Sequence, residues 1–304
     1  MESAWRVIDC MDVEGQLRYE RGRMVVCANG KEPVEVPLAQ TAVLLLGLRA
    51  NISTALLFRL AQEGISVLLC DWRGVPTGAL DSWGSTPSRV TIRHWAQVDM
   101  SVPHQKNAWK RIVKAKIRGQ AYCLDVCGRQ RSGALLEMAN RVRSGDATNV
   151  EGMAAREYWK NLFGSEEGFC RTPGSGIGRN VLLDYGYAVL RGFVIRSILA
   201  AGLDPTFGVN HHNRANYFCL ADDLIEPYRP AVDCCVAQMD ASAELDRDTK
   251  RLIVEAVNGQ FSGDGLTVPS SLNDFAQQFG LYCEGQCEVL KVPVFGDGAD
   301  HEEG

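Results

Sequence analysis

The stretch NAWKRIVKAKIRGQAYCLDVC, residues 107–127, indicates the fold class of most of this chain of 304 residues. Trp109, Ile112 and Val113 recur at helical spacing, and Ile117 continues the same apolar stripe. Lysines and arginines occupy positions outside that stripe. The pattern predicts a long amphipathic helix with one face packed against a core and the other in solvent.

Before residue 90 the pattern is different, because short runs rich in Val, Leu and Ile alternate with turn signals. Such runs are typical of β-strands. The predicted strands are WRVIDC (5–10), GRMVVC (22–27), VEVPL (34–38), AVLLLGL (42–48) and ISVLLCD (65–71). One helix should interrupt them, because Asn51 or Ser53 can cap ISTALLFRLAQEG and Gly64 can end it.

These patterns predict an α+β protein with a small N-terminal β-rich domain followed by a larger all-helical domain. We place the β-rich domain at residues 1–90 and the helical domain at 91–296. The residues 297–304 form an acidic tail with little to bury, which we expect to be disordered.

Composition limits the class of protein and its location. A hydrophobic content of 46% allows a sizeable core. The apolar run AVLLLGL is far shorter than the roughly 18–20 residues of a membrane span, and the first residues do not resemble a signal peptide. We therefore expect a cytoplasmic protein with no membrane partner.

The chain has 11 cysteines, an odd number, without a secretory signal, which favours reduced thiols over disulfides. Two pairs have C-x3-C spacing, Cys123/Cys127 and Cys283/Cys287. Neither pair is followed by a second Cys or His pair at zinc-finger distance. A structural zinc is therefore the weaker interpretation, and thiols on the inner faces of helices are the stronger one.

Charge is distributed unevenly along the chain. The net charge is -5, yet residues 106–143 contain ten basic and two acidic residues and carry +8. A run of this kind is usually a solvated helix face, but an excess this large can also attract phosphates. Charge alone leaves both interpretations open.

The segment FGVNHHNRANYFCLADDLIEPYRP, residues 207–230, combines two adjacent histidines with three carboxylates. In a helical turn Glu226 shares a face with Asp222, Asp223 or both, and such close like charges repel one another. A cation would relieve the repulsion, and an imidazole would complete a nitrogen and oxygen shell suited to Mn²⁺, or less well to Mg²⁺. An exposed acidic turn beside a buried histidine would produce the same pattern.

Two further motifs have ordinary explanations. Glu151 stands in the first turn of a predicted helix within residues 146–164, where an acid complements the helix dipole. Gly174, Gly176 and Gly178 precede another helix, but they follow no hydrophobic strand and lack the lysine of a nucleotide-binding loop. We interpret them as a flexible loop that leads into a buried helix.

Taken together, three motifs resemble a known family. N-V-E-G-x-A-A-R-x-Y-W at 149–159, G-x-x-H-H-N-R at 208–214 and L-A-D-D-L-I-E-P-Y-R-P at 220–230 are similar to the CRISPR-associated spacer integrases, in particular their type II branch. The segments VPLAQTAVLLLGLRANIS, IVKAKIRGQA and NVLLDYGYAVLR also resemble that branch, so the similarity spans roughly residues 5–240.

The resemblance implies a β-rich dimerisation domain, a helical catalytic domain and a divalent metal, Mn²⁺ or Mg²⁺. By matching positions, Glu151, His211 and Glu226 would be the metal ligands and Asp223 an assisting acid. The implied activity joins the 3′-OH ends of new spacer DNA to the repeat array by transesterification. The implied partners are double-stranded DNA, both prespacer and CRISPR repeat, the second CRISPR-associated protein and a second copy of the chain.

Basic side chains would guide the DNA ends to such a site. The candidates for DNA contact are Lys110, Lys114, Arg118, Arg156 and Arg179. Two other functions remain open at this point: a stand-alone metal-dependent nuclease that acts in repair, and a DNA-binding scaffold without catalytic activity.

Overall fold

The computed structural model describes residues 6–71, 76–80, 82, 89–164 and 169–296. The chain forms two compact units, Met1–Pro87 and Ser88–Gly304. Strands fall in the first unit and long helices in the second, so the α+β prediction is confirmed. The acidic tail predicted at 297–304 lies outside the described residues.

The N-terminal unit contains two four-stranded sheets, with strand orders β1-β5-β7-β8 and β4-β3-β2-β6. Strands β1, β5 and β7 run parallel to one another, and β8 is antiparallel to β7. All five predicted strand segments form strands, whereas β2, β6 and β8 were not predicted. The elements are β1 (Arg6–Cys10), β2 (Gly15–Glu20), β3 (Arg23–Ala28), β4 (Val34–Pro37), β5 (Thr41–Leu46), β6 (Ala50–Ile52), α1 (Thr54–Gln62), β7 (Ser66–Cys70) and β8 (Pro76–Leu80).

The core of this unit is formed by buried residues of both sheets together with helix α1. Every residue of β5 is buried, and a strand that is covered on both faces is expected to be mostly apolar along its length. Helix α1 contributes Leu56 and Leu60 to the same core. Of the two predicted caps, Ser53 is the one that acts, because its hydroxyl accepts the backbone N–H of Leu56 at 3.3 Å.

The described residues of the second unit form helices joined by loops, with one isolated β-bridge between Gln260 and Thr267. Short 3-10 turns at Ser144–Asp146 and Glu226–Tyr228 precede α5 and α8. No described helix is long and apolar enough to cross a membrane. The helices are α2 (Val90–Val98), α3 (Val102–Val126), α4 (Ser132–Arg141), α5 (Val150–Leu162), α6 (Gly178–Ala200), α7 (Cys219–Leu224), α8 (Arg229–Ala237), α9 (Arg247–Asn258) and α10 (Val268–Cys283).

Helix α3 is the element on which the candidate site is built. Its predicted apolar stripe is buried in full, from Trp109 through Ile112 and Val113 to Ile117. The stripe packs α3 against α4, α5 and α8, and the 3-10 turn before α8 also contacts α3. A functional side chain on the inner face of α3 therefore lies close to residues from several distant parts of the sequence.

Candidate active site

Glu151 owes its position to the way α5 begins. The Asn149 side chain accepts the N–H of Gly152 at 3.3 Å, and the Asp146 carboxylate accepts the N–H groups of Val150 and Glu151, each at 2.9 Å. These two side chains together satisfy backbone N–H groups of the first helical turn. This arrangement fixes the start of α5, from which the Glu151 side chain contacts α3.

A lysine of α3 connects two of the predicted ligands. The Lys116 Nζ lies 2.6 Å from Glu151 Oε1 and 2.6 Å from Glu226 Oε2. The lysine side chain is only 13% exposed. Burial lowers the pKa of Lys116, but the two carboxylates outweigh burial and raise it above its ordinary value. Lys116 therefore carries a positive charge between two acids.

Glu226 is a buried carboxylate with two cationic neighbours. Its side chain is 8% exposed, and Arg229 Nε donates to its Oε1 at 3.0 Å. Burial raises the pKa of Glu226, but Arg229 and Lys116 overcome that effect and hold the pKa at about 2. Apart from the Lys116 ion pair, the buried Oε2 has no hydrogen-bond donor. The group is ionised and has one oxygen that could accept a metal ion.

His211 is held by a carboxylate buried beneath its loop. Asp223 is 0% exposed and accepts the backbone N–H groups of Val209, Asn210 and His211 at 2.6, 3.1 and 3.3 Å. The His211 Nδ1 lies 2.7 Å from Asp223 Oδ1. This hydrogen bond raises the pKa of His211, with burial opposing it. Burial raises the pKa of Asp223, and its hydrogen bonds from His211 and the loop oppose that rise.

The glycine of the G-x-x-H-H-N-R motif makes this loop possible. A Cβ on Gly208 would lie 2.4 Å from the His211 carbonyl oxygen and 2.8 Å from Asp223 Oδ2. Both contacts are shorter than any real Cβ allows. The glycine at this position therefore lets the loop close tightly over Asp223 and brings His211 to its partner.

The structure distinguishes the two adjacent histidines. Because Nδ1 of His211 faces Asp223, Nε2 is the ring nitrogen that could bind a metal ion. The His211 ring also packs edge-on against Trp109, with centroids 5.9 Å apart, and its side chain is 44% exposed. His212 is exposed to solvent.

The three carboxylates of the acidic turn do not share one cation. Asp222 pairs with Arg191 at 2.9 Å and accepts the Asn216 amide at 2.6 Å. Asp223 binds His211, and Glu226 binds Lys116 and Arg229. Neighbouring basic and polar groups therefore relieve the repulsion that the spacing predicted.

The predicted ligands carry the donor atoms that a divalent cation binds, although these atoms are not all close to one another. Glu151 and Glu226 face one positive charge, and the charge of Glu226 contributes to raising the pKa of His211. Within the described residues, these three donors do not all lie within 4.8 Å of one another. Two carboxylates and a neutral imidazole are a donor set for Mn²⁺, with Mg²⁺ as a harder alternative.

The predicted DNA-contact residues have different environments. Lys110, Lys114 and Arg118 recur every four residues along α3 and are half-buried, and Arg156 is exposed on α5. Arg179 is 7% exposed and donates to the carbonyl oxygens of Val236 and Met239. The guanidinium of Arg179 thus joins α6 to the end of α8, an environment that argues against a contact with DNA.

Lys116, Asp146 and Arg229 belong to the site but were not predicted as site residues. The sequence pattern placed Lys116 outside the apolar stripe with the other basic residues of α3, which is wrong because its side chain is only 13% exposed. Its position gave a signal, because it lies four residues after Ile112 and seven after Trp109, on the buried face of α3. A lysine on an apolar face needs a partner, so it indicated a buried acid nearby.

Comparison with known proteins places this geometry in a family context. The family profile described as "CRISPR associated protein Cas1" matches residues 11–252. The chain is 35% identical over 254 residues to the CRISPR-associated endonuclease Cas1 of Neisseria meningitidis serogroup C (strain 8013), and the match covers 82% of each protein.

Solved structures share the fold at low sequence identity. One is a casposase bound to integration product, with a TM-score of 0.75 at 20% identity, covering 94% of this chain and 93% of that one. Another is a Cas6-RT-Cas1–Cas2 complex, with a TM-score of 0.75 at 20% identity, covering 96% of this chain and 36% of the longer one.

Proposed function

Because the chain belongs to the Cas1 family of CRISPR-associated proteins, we propose that it is a metal-dependent DNA integrase and endonuclease of CRISPR adaptation. The observation that carries the proposal is the convergence of Glu151 and Glu226 on the single positive charge of Lys116, with the charge of Glu226 also acting on His211. The name of the Neisseria relative, an endonuclease, and the integration product bound to the casposase support the same reaction class.

Each residue has a defined task in this proposal. Glu151, His211 and Glu226 hold Mn²⁺ or Mg²⁺. Asp223 accepts a hydrogen bond from Nδ1–H of His211. This bond keeps Nε2 free of hydrogen and directs it to the ligand position. In the metal-free protein Lys116 balances the negative charge of the two glutamates, and its ion pairs with them break when the cation is bound. The bound cation stabilises negative charge on the reacting phosphate and on its attacking or leaving oxygen.

The reaction is a phosphodiester exchange. A 3′-hydroxyl of the new spacer DNA attacks a phosphate at the edge of the repeat, one phosphorus–oxygen bond forms and another breaks. The 3′-oxygen of the repeat strand leaves and takes up a proton. With water as the nucleophile the same site is an endonuclease. Lys110, Lys114 and Arg118 on α3 and Arg156 on α5 would bind the phosphate backbone, which positions DNA without reading its sequence.

The proposed partners are double-stranded DNA, a second copy of the chain and the second CRISPR-associated protein. The Cas1–Cas2 complex among the structural neighbours supports the last of these. For the homodimer, the N-terminal unit exposes apolar side chains at Val34, Leu48 and Phe58 that a second copy could cover. Sedimentation at micromolar concentration should give a dimer, and a monomer would contradict this part of the proposal.

A strand-joining assay with the partner protein, a labelled prespacer and a supercoiled plasmid that carries the repeat tests the function. We expect Glu151→Ala and Glu226→Ala to lose at least 99% of joining in Mn²⁺ or Mg²⁺, about 3 kcal/mol of transition-state stabilisation. DNA binding should stay nearly intact because neither residue contacts phosphate. Glu157→Ala is the matched control, since Glu157 is also on α5 and pairs with a basic residue, Arg131, at 2.9 Å.

The outcomes separate the three candidate functions. Joining that depends on metal and on both glutamates supports the integrase. Plasmid nicking without joining in the presence of the partner would favour a stand-alone nuclease. DNA binding with neither reaction would favour a scaffold, and joining that persists in EDTA would refute the metal mechanism.

A further inference from the structure

Three cysteines from two helices meet away from the candidate active site. Cys123 lies near the end of α3, Cys127 caps the C-terminus of that helix one turn later, and Cys234 lies on α8. Their sulfur atoms all lie within 4.8 Å of one another, and the Cys127 and Cys234 sulfurs are 4.0 Å apart. All three thiols are reduced. The sequence revealed the C-x3-C pair, but the third sulfur comes from 107 residues further along the chain.

The spacing of the sulfurs matches that around a metal ion. With a metal–sulfur bond of about 2.3 Å, sulfurs lie about 3.8 Å apart in a tetrahedral site and about 4.0 Å apart in a trigonal one. A disulfide needs a sulfur–sulfur distance of about 2.05 Å and uses two cysteines, so it would leave the third thiol without a role. Thiolate ligands select soft cations such as Zn²⁺ and Cu⁺.

Polar side chains lie beside two of the three sulfurs. The Tyr158 hydroxyl lies 3.2 Å from the Cys123 sulfur and 3.0 Å from Asp233 Oδ2, and the Gln238 amide donates to the Cys234 sulfur at 3.4 Å. Neighbouring groups of this kind usually hold the ligands of metal sites in place.

We propose that Cys123, Cys127 and Cys234 form a three-thiolate binding site for a soft cation, Zn²⁺ or Cu⁺, that joins α3 to α8. Binding converts the three thiols to thiolates and releases their protons. No fourth His, Cys, Asp or Glu among the described residues joins the set, so water completes a tetrahedral shell around Zn²⁺. Cys127 is partly exposed and provides the entry path for the ion.

The location gives the site a structural task. Cys123 lies seven residues after Lys116 on α3, about 10 Å along the helix axis, and Cys234 lies five residues after Arg229 at the start of α8. Lys116 and Arg229 are the two cations that hold Glu226. A metal bridge between the helices would fix the relative position of these two side chains without contacting the DNA-processing site.

Cobalt substitution tests the proposal, because Co²⁺ bound by sulfur gives a thiolate-to-metal charge-transfer absorption that oxygen and nitrogen ligands cannot give. Purified full-length protein, stripped with chelator under reducing conditions, should bind one equivalent of Co²⁺ with this band, and one equivalent of Zn²⁺ should displace it. A separate Cu⁺ competition titration distinguishes the two cations. Cys234→Ser should lower the affinity of the thiolate site at least tenfold and abolish most of the band.

The chain offers two matched controls. Cys235 is the next residue on α8, but its sulfur donates to the Leu252 carbonyl oxygen at 3.8 Å, so Cys235→Ser should leave the band unchanged. Cys283 and Cys287 repeat the C-x3-C spacing without joining a cluster of three, so their double serine variant should also keep the band. A thermal melt in chelator checks that Cys234→Ser is folded.

A measurement on the wild-type protein avoids dependence on any variant. One equivalent of Zn²⁺ or Cu⁺ should slow alkylation of Cys127 at least tenfold, as mass spectrometry of the labelled peptide would show. The proposal is overturned if no charge-transfer band forms and neither cation protects Cys127. It is also overturned if Cys234→Ser keeps the wild-type band, or if the cluster forms a Cys127–Cys234 disulfide under mild oxidation and binds no metal.

Discussion

Replacing Lys116 with methionine should test the charge arrangement at the candidate site most directly. The substitution keeps an unbranched side chain of similar length but removes the positive charge between Glu151 and Glu226. Lowering the pKa of Glu226 from 4.5 to about 2 corresponds to about 3 kcal/mol of stability. Arg229 supplies part of that effect, so we expect Lys116→Met to lower the free energy of unfolding by about 2 kcal/mol at pH 7 in chelator.

The dependence of this loss on pH follows from the sign of the shift. Because the pKa of Glu226 is depressed, its contribution to stability is present above the unfolded pKa of 4.5 and is lost as the pH falls through about 2. The difference between Lys116→Met and wild type should therefore shrink as the pH falls from about 4.5 to about 2. A difference that grows on acidification would contradict the assignment.

Mn²⁺ provides a second arm of the same experiment. In the wild type a cation must displace the Lys116 ammonium, whereas in the variant the two glutamates are already without it. Mn²⁺ should therefore bind the variant more tightly and recover most of the lost stability, about 2.7 kcal/mol at a hundredfold excess over Kd.

Urea unfolding followed by tryptophan fluorescence measures both effects. Lys110→Met, on the same helix but half-exposed, is the control and should change stability by less than about 0.5 kcal/mol. The reasoning is refuted if Lys116→Met matches the wild type in chelator to within that margin, or if Mn²⁺ stabilises the two proteins equally.

Three further outcomes are expected. His211→Ala should lose at least 99% of strand joining, whereas His212→Ala should keep a substantial part. The reason is that, of the two histidine rings, the one bound by Asp223 is that of His211. The reverse result would move the ligand assignment by one residue. Gly208→Ala should cost about 1–3 kcal/mol in thermal or urea unfolding, because its Cβ would lie 2.4 Å from a carbonyl oxygen, whereas Gly133→Ala, which meets nothing within 4 Å, should cost nothing. DNA affinity should fall with salt at a log–log slope of about -5 if about six phosphates are neutralised, and a flat response would exclude the basic face of α3 from binding.

The sequence predicted the elements that depend on patterns within a short stretch of chain. The strands β1, β3, β4, β5 and β7 have continuous β-branched and leucine-rich runs, and α3 has its apolar stripe. Ser53 could be predicted as a cap because a cap depends on residues only about three positions away. Strand β2 was missed because half of its residues are polar, and its place is decided by pairing with β3.

The site was harder to predict because its contacts join distant residues. Periodicity places Lys116 on the inner face of α3, yet nothing local shows that its partners are Glu151 and Glu226. Arg179 was chosen as a DNA contact because a basic residue near the start of a helix is usually exposed. Its burial depends on packing against α8, which the local sequence does not show. The third cysteine of the cluster lies on α8 for the same reason, so spacing along α3 could not reveal it.

The separate pairing of the three acidic side chains at 222, 223 and 226 bears on the order of folding and metal loading. In a zinc finger the apo chain is unfolded, because its core depends on the ion. Here Arg191, His211 and Lys116 each supply a partner from within the chain, so the acidic turn is complete before any cation arrives. Under the metal mechanism proposed above, the protein stays folded while Mn²⁺ or Mg²⁺ is scarce and becomes active when the ion is supplied, without unfolding in between.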